Sequence, residues 1–319
     1  MNNIVYLALD SEAVCRETEV SIHSLLHVLQ SRTEPYRIIV YTNMTSCVTE
    51  LRSTPGIELI IIRLDGERLI SWRGPDNYVY RAKILALSDF METYGEAAIF
   101  VDSDTFFKSD PSPLFLRLNS GVFLMNYEEN RLDEMVRSKD GKTGGVHRFF
   151  HDIYRRRRLD APCGSYKIAE DMTLWNSGII GLPFSEKNLL REALSLSDRV
   201  YAQYRLRTAE QFALAYILQS NGTVERGDAI VFHYWFLKEA RYLLERFLGL
   251  PVEISAKHIG TPLAEEIQNL PLPEYEQLPE YTAELSQKRW GTRFSSILSV
   301  ISPESKTGKL LRGKPGIST

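Results

Sequence analysis

The stretch AAIFVDSDTFFKSDPSPLF, residues 97–115, carries an apolar run straight into two aspartates one residue apart. Side chains of an extended chain repeat every two residues, so Asp102 and Asp104 would point to one side of the strand tip. Two like charges at the end of a buried strand are costly unless a cation sits between them or water reaches both. Hard carboxylate oxygens suit Mg²⁺ or Mn²⁺. Mg²⁺ favours one or two protein carboxylates plus phosphate oxygens, so a diphosphate ligand is implied. The plainer alternative is a polar turn with both aspartates in water. With 14 aspartates in 319 residues, chance alone supplies about 0.6 such pairs, so context decides. Here an apolar strand precedes the pair, and Asp110-Pro111, a helix N-cap and N1 combination, follows it.

Outward from this stretch, short Ile- and Val-rich runs recur: IVYLAL (4–9), RIIVYT (37–42), ELIIIRL (58–64) and AAIFVD (97–102). Nearly unbroken apolar runs fit strands covered on both faces. Between them, Glu17 to Leu29 sets Ile22, Leu25, Leu26 and Leu29 on one helical face. Residues 79–91 do the same with Tyr80, Ile84, Leu87 and Met91, after a Pro75-Asp76-Asn77 start signal. This alternation predicts an α/β fold, a mostly parallel central sheet with helices on both faces. In such sheets ligands bind beyond the carboxyl ends of the strands, where the two aspartates fall. Further on, GVFLMN (121–126), TLWNSGIIGL (173–182) and AIVFHYW (229–235) read as strands, with helices over about 186–204 and 209–219. Residues 251–319 read as a Pro-rich arm followed by a basic, Gly-rich tail.

Composition narrows the class. Hydrophobic residues make up 44% and charged residues 25%, enough for a sizeable core, and a net charge of −3 gives no reason to expect a nucleic-acid partner. MNNIVYLALD has neither a basic n-region nor a sustained apolar h-region, and no run approaches the roughly 18–20 apolar residues of a membrane span. Cys15, Cys47 and Cys163 are odd in number and widely spaced, which fits a reducing cytoplasm and argues against a structural zinc site. A cytoplasmic protein is expected.

The segment YRAKILALSDFMETYGEAAIFVDSDTFFKSDPSPLF resembles the helix-strand-DxD core of metal-dependent glycosyltransferases of the GT-A fold. In pattern it is most similar to family-8-like enzymes such as glycogenin and bacterial lipopolysaccharide galactosyltransferases. The resemblance runs from residue 4 to about 240, through an ordered set of pieces. It implies a GT-A domain over 1–250, with a nucleotide-binding half to about 110 and an acceptor half over about 111–250. It further implies transfer of a sugar from a nucleotide diphosphate sugar, a UDP-sugar first of all, to an acceptor hydroxyl on a glycan, lipid-linked or protein acceptor. By the same resemblance, Asp102 and Asp104 hold Mn²⁺ or Mg²⁺, with Ser103 between them beside the donor. Ala8 and Asp10, ending IVYLALD, become base-pocket candidates, although Asp10 reads equally as a helix cap. In Tyr80-Arg81-Ala82-Lys83 the resemblance implies a basic residue that reaches the diphosphate. Arg81 is preferred for its bidentate grip, with Lys83 as the alternative.

Trp175-Asn176-Ser177-Gly178 resembles the strand whose Asn bonds the donor sugar, and the preceding Glu170-Asp171 brings carboxylates to the same rim, one of them to orient a sugar hydroxyl or serve as general base. Thr208-Ala209-Glu210-Gln211 resembles an acidic-Gln pair before a helix. Thr208 with Gln211 also spells a capping box, which leaves Glu210 the better catalytic candidate. In Val231-Phe232-His233-Tyr234-Trp235-Phe236-Leu237-Lys238, the resemblance implies His233 as third metal ligand and Lys238 on phosphate. Phe236, however, stands where the family has Gly, and Lys238 comes one residue early.

Other readings use the same residues. Haloacid-dehalogenase-like phosphatases also place D-x-D after an apolar strand, but with Thr or Val where Phe106 stands here. Sugar-1-phosphate nucleotidyltransferases need a Gly-rich loop that SEAVCRETE lacks. A non-catalytic nucleotide- or glycan-binding protein on the same fold is the third. His23 and His27, like His147 and His151, have helical spacing without the Glu of a zinc protease motif. Arg155-Arg156-Arg157-Arg158 is a charge run of the kind that usually forms a solvated face, though it would also suit an anionic acceptor or lipid headgroups. Trp290, Arg293 and Phe294 beside the basic tail suggest peripheral contact with the inner face of a membrane.

Overall fold

Alternate residues of each central strand go to opposite faces of one sheet, and both faces are covered. Val5 of β1 (Asn2–Ala8), Ile39 and Tyr41 of β2 (Tyr36–Thr42) and Phe100 of β4 (Ala98–Val101) lie in one apolar cluster. Ile4 and Tyr6, Ile38 and Val40, and Ile99 and Val101 lie in the other. Burial on both sides is why these runs are apolar without a break. The computed structural model describes residues 1–29, 34–45, 47–48, 57–137 and 145–235. Lys238 and the arm and tail expected over 251–319, with Trp290, Arg293 and Phe294, lie outside the described residues.

The remaining strands of the sheet are β3 (Ile57–Arg63), β6 (Phe123–Met125), β11 (Ile179–Leu182) and β12 (Val224–Arg226). The order across the sheet is β12-β6-β11-β4-β1-β2-β3. Pairing is parallel except where β11 runs against both β4 and β6, so the sheet is mostly parallel, as the strand-helix alternation predicts. One face carries α1 (Glu12–Val28) and α4 (Ser112–Asn119), the other α3 (Arg81–Tyr94), α7 (Asn188–Tyr204) and α8 (Ala209–Asn221).

Three local readings change. Helix α1 starts at Glu12, ahead of the expected Glu17, because Ser11 is extended and its hydroxyl accepts from the Ala13 amide. Ser11 is therefore the cap, and Asp10 sits before it at φ +67°. A helix not read from the sequence, α2 (Gly66–Arg73), is capped by Asp65, whose carboxylate accepts from the Arg68 amide at 2.8 Å. TLWNSGIIGL is not one strand but two. β10 (Thr173–Trp175) pairs with β7 (Glu128–Arg131) in a small separate sheet, while β11 enters the main sheet. Asn176 makes the break, its side-chain oxygen accepting from the Gly178 amide two residues on at 2.9 Å.

Two further pieces complete the described chain. β5 (Thr105–Phe107) pairs antiparallel with β13 (Val231–His233), with Thr105 opposite His233. Between β7 and β10 lie α5 (Leu132–Arg137), α6 (Gly145–Arg156) and a hairpin of β8 (Arg158–Ala161) and β9 (Gly164–Lys167).

Candidate functional site

Strand β4 ends at Val101, and the next three residues bend into β5. The Asp102 amide donates to the Gly178 carbonyl at 2.9 Å, and the Thr105 hydroxyl donates back to the Asp102 carbonyl at 2.7 Å. These bonds hold the bend at the carboxyl edge of the sheet. The β5–β13 pairing, with the Tyr234 amide on the Asp104 carbonyl at 3.0 Å, then brings His233 across a chain separation of 129 residues to Asp104. Oxygens of Asp102 and Asp104 and a ring nitrogen of His233 all lie within 4.8 Å of one another.

The tautomer of His233 follows from its neighbours. The Asn176 side-chain oxygen is fixed as an acceptor by the Gly178 amide, and it faces His233 Nδ1 at 2.8 Å. Nδ1 therefore carries a proton, and Nε2 lies 3.0 Å from Asp104 Oδ1 and 3.7 Å from Asp102 Oδ2. Two carboxylates and a ring nitrogen converge, a set that could hold a metal ion. Two carboxylates and one imidazole fit Mn²⁺ or Mg²⁺, with the nitrogen better suited to Mn²⁺. An ion held by three protein atoms there would keep positions for water or phosphate oxygens.

Gly178 makes this approach possible. A Cβ there would lie 2.2 Å from His233 Nδ1 and 2.5 Å from its Cγ.

Next to the cluster is a buried charge network. Lys83 Nζ donates to Asp102 Oδ2 at 2.6 Å and lies 3.6 Å from Glu210 Oε1. Burial alone would push the Lys83 ammonium toward neutrality, but the charges of Asp102 and Glu210 outweigh it and hold the group charged. Glu210 is 2% exposed. Burial pushes its carboxyl above the usual range, and Lys83 and the Tyr78 hydroxyl pull it back. Tyr78 donates to Glu210 Oε2 at 2.7 Å and accepts the Glu210 amide at 3.0 Å, and its own phenol is pushed upward by burial and by that carboxylate.

The third layer is polar and neutral apart from one acid. Gln211 Oε1 accepts from the Ser177 amide at 3.3 Å, while its Nε2 donates to Glu129 at 2.9 Å. The other Glu129 oxygen accepts from Asn176 Nδ2 at 2.8 Å. Trp235, 43% exposed, donates from its indole to the Tyr127 hydroxyl at 2.9 Å.

The structure thus brings together Lys83, Asp102, Asp104, Asn176, Glu210, Gln211 and His233. Ser103 lies between the aspartates, half-buried at the bend. Gln211 does not close a capping box, since Thr208 makes no side-chain cap bond. Arg81 is placed elsewhere. Its Nε pairs with Asp198 at 2.8 Å and its guanidinium donates to the Ser71 and Trp72 carbonyls at 2.9 Å. Asp171 is exposed in the turn before β10 and is not drawn into the network. Ala8 is fully buried at the end of β1. Asp10 accepts from Asn43 Nδ2 at 3.0 Å and pairs with Arg73. Glu129 and Tyr78 were not singled out in the sequence. A tyrosine just before the basic helix start was the available signal for Tyr78, and Glu129 had none.

No protein-family model and no curated protein matches the chain. Solved structures of glycosyltransferases are similar to it at a distance. Mouse xyloside xylosyltransferase 1 aligns at 13% identity over 70% of this chain and 84% of that one, with a TM-score of 0.48. The bifunctional glycosyltransferase WbbM aligns at 16% identity over 70% of this chain and 38% of its own, with a TM-score of 0.42. The galactosyltransferase LgtC, solved with donor and acceptor sugar analogues, aligns at 13% identity over 67% and 70%, also with a TM-score of 0.42. Likenesses this remote leave function to the geometry of the site.

Proposed function

We propose that the protein is a metal-dependent glycosyltransferase of the GT-A type that moves a sugar from a nucleotide diphosphate sugar, a UDP-sugar in the first instance, to an acceptor hydroxyl. The convergence of Asp102, Asp104 and His233 Nε2 beside a buried Lys83 is the observation that carries this reading. Bound there, Mn²⁺ or Mg²⁺ would supply Lewis-acid neutralisation of the departing diphosphate. Asp102, Asp104 and His233 hold it, and Asn176 orients the imidazole through Nδ1.

Lys83 balances Asp102 and contributes positive charge at the diphosphate end. Its partner Glu210 has both oxygens engaged, by Tyr78, Ser177 and Lys83, so it fixes the lysine in place instead of receiving an acceptor proton. Glu129, with Asn176 and Gln211 donating to its two oxygens, offers acceptor lone pairs for sugar hydroxyls. Arg81, tied to Asp198, and exposed Asp171 have no part in this reading. Asp10, with Asn43 and Arg73, is assigned to the nucleoside end. The acceptor is a glycan, a lipid-linked sugar or a protein. Among the described residues no helix is long and apolar enough to cross a membrane.

Calorimetry with UDP, with and without Mn²⁺, tests the reading. Binding should require the metal and be lost in Asp104→Ala. Metal-independent binding, or binding unchanged in that variant, would refute it.

A further inference from the structure

Away from this site, a second group of cations gathers along one side of α7. Arg191, Ser195 and Arg199 stand four residues apart, one helical turn each, and therefore share a face. With Asp198 they line an open groove of ≈ 310 Å³ whose wall also includes Pro162 and Cys163 of the β8–β9 hairpin. A second cavity of ≈ 270 Å³ also has Arg199 in its wall, together with Arg156 and Arg158. The basic run 155–158 is thus partly folded against α7.

The local charge does not cancel. Arg156 is met by Asp152 at 3.8 Å and Arg158 by Asp160 at 3.0 Å. Asp198 is taken from behind by Arg81 at 2.8 Å. Arg191 and Arg199 remain, and neither makes a hydrogen bond or salt bridge among the described residues. Ser195 Oγ, in the wall between them, is buried with no hydrogen-bond partner among the described residues. Buried polar atoms are normally satisfied, so this hydroxyl, like that of Ser197 on the same helix, keeps a bond to donate. Two guanidiniums without a salt bridge, of which Arg199 also lies in the field of Asp160, and one hydroxyl suit the charge of about −1.5 to −2 and the three acceptor oxygens of a phosphate monoester.

We propose that the groove between α7 and the β8–β9 hairpin is a binding site for a phosphate monoester, held by Arg191, Arg199 and Ser195. Such a group is carried by a phosphorylated sugar and equally by the headgroup of phosphatidic acid. The site is separate from the metal cluster and does not rest on the transferase reading.

The full chain, without metal or nucleotide, is titrated by calorimetry with glucose 6-phosphate, with glucose, and with inorganic phosphate. Vesicles of phosphatidylcholine with and without phosphatidic acid form a parallel sedimentation arm. Saturable binding of glucose 6-phosphate but not glucose is expected. Arg191→Gln with Arg199→Gln should weaken it at least about tenfold, since each removes charge-assisted bonds. Both arginines are exposed, so the double variant keeps the fold, checked by circular dichroism. Asp104→Ala should bind as the wild type does, which separates this site from the transferase site. Binding to phosphatidic acid vesicles alone, abolished by the double variant, would support the site with a lipid source. Absence of binding in both arms, or binding indifferent to the double variant, overturns the proposal.

Discussion

Gly178→Ala puts the site's geometry to its sharpest test. The added Cβ would stand 2.2 Å from His233 Nδ1, and ordinary contact begins at 3.4 Å, so the ring must retreat by about 1.2 Å. Nδ1 is bonded to Asn176 at 2.8 Å and Nε2 lies 3.0 Å from Asp104, so a shift of that size cannot keep both. Gly178 has no left-handed backbone that alanine would strain, so the effect is purely steric. Overpacking of this kind costs about 1–3 kcal/mol of stability, and misplacing a metal-orienting contact costs about 10–100-fold in metal affinity. Mn²⁺ titration by electron paramagnetic resonance, with thermal unfolding in parallel, reads both. Wild-type Mn²⁺ affinity together with an unchanged melting temperature would show that His233 is not held where the structure places it.

Three other substitutions probe the surroundings. Lys83→Met strands the carboxylate of Glu210 and should destabilise the fold by about 3–5 kcal/mol in urea unfolding, with Lys83→Arg recovering only part. Tyr78→Phe removes the hydroxyl that both donates to Glu210 and accepts its amide. It should cost about 1–3 kcal/mol, measured by the same assay. At the amino end of the sheet, the Asn3 amide donates to Glu96 at 2.8 Å and, with Arg37, holds that carboxyl below the usual carboxylate range. A depressed carboxyl stabilises above its unfolded pKa and loses that contribution as pH falls through its folded value. Unfolding free energy should therefore fall on acidification below about pH 4.5 more steeply in the wild type than in Glu96→Gln. Parallel slopes would remove Glu96 from the acid response.

Much of the fold is written locally. The Ile-Val runs give β1 to β4 within a residue or two: β1, β2 and β4 are apolar because both their faces are covered, while β3 is the partly exposed edge. Caps are less visible: Ser11 and Asp65 set the starts of α1 and α2, yet many serines and aspartates cap nothing. The break at Asn176 was hidden because TLWNSGIIGL is apolar on both sides of a turn made by one side chain.

By itself the sequence determined the α/β class, the place of the aspartate pair at a strand end and, through resemblance, His233 as its partner. Tertiary structure alone decided which cation meets them. Arg81 and Lys83 are two residues apart on α3, about 200° around the helix, so only one can face the sheet. The packing of α3 against β4 and α7 turns Lys83 inward to Asp102 and leaves Arg81 to Asp198. Glu129 and Tyr78 likewise enter through contacts 47 to 132 residues distant in the chain, which no local pattern records. Strand and helix formation follow from neighbours in sequence. The charge balance of a buried site follows from neighbours in space.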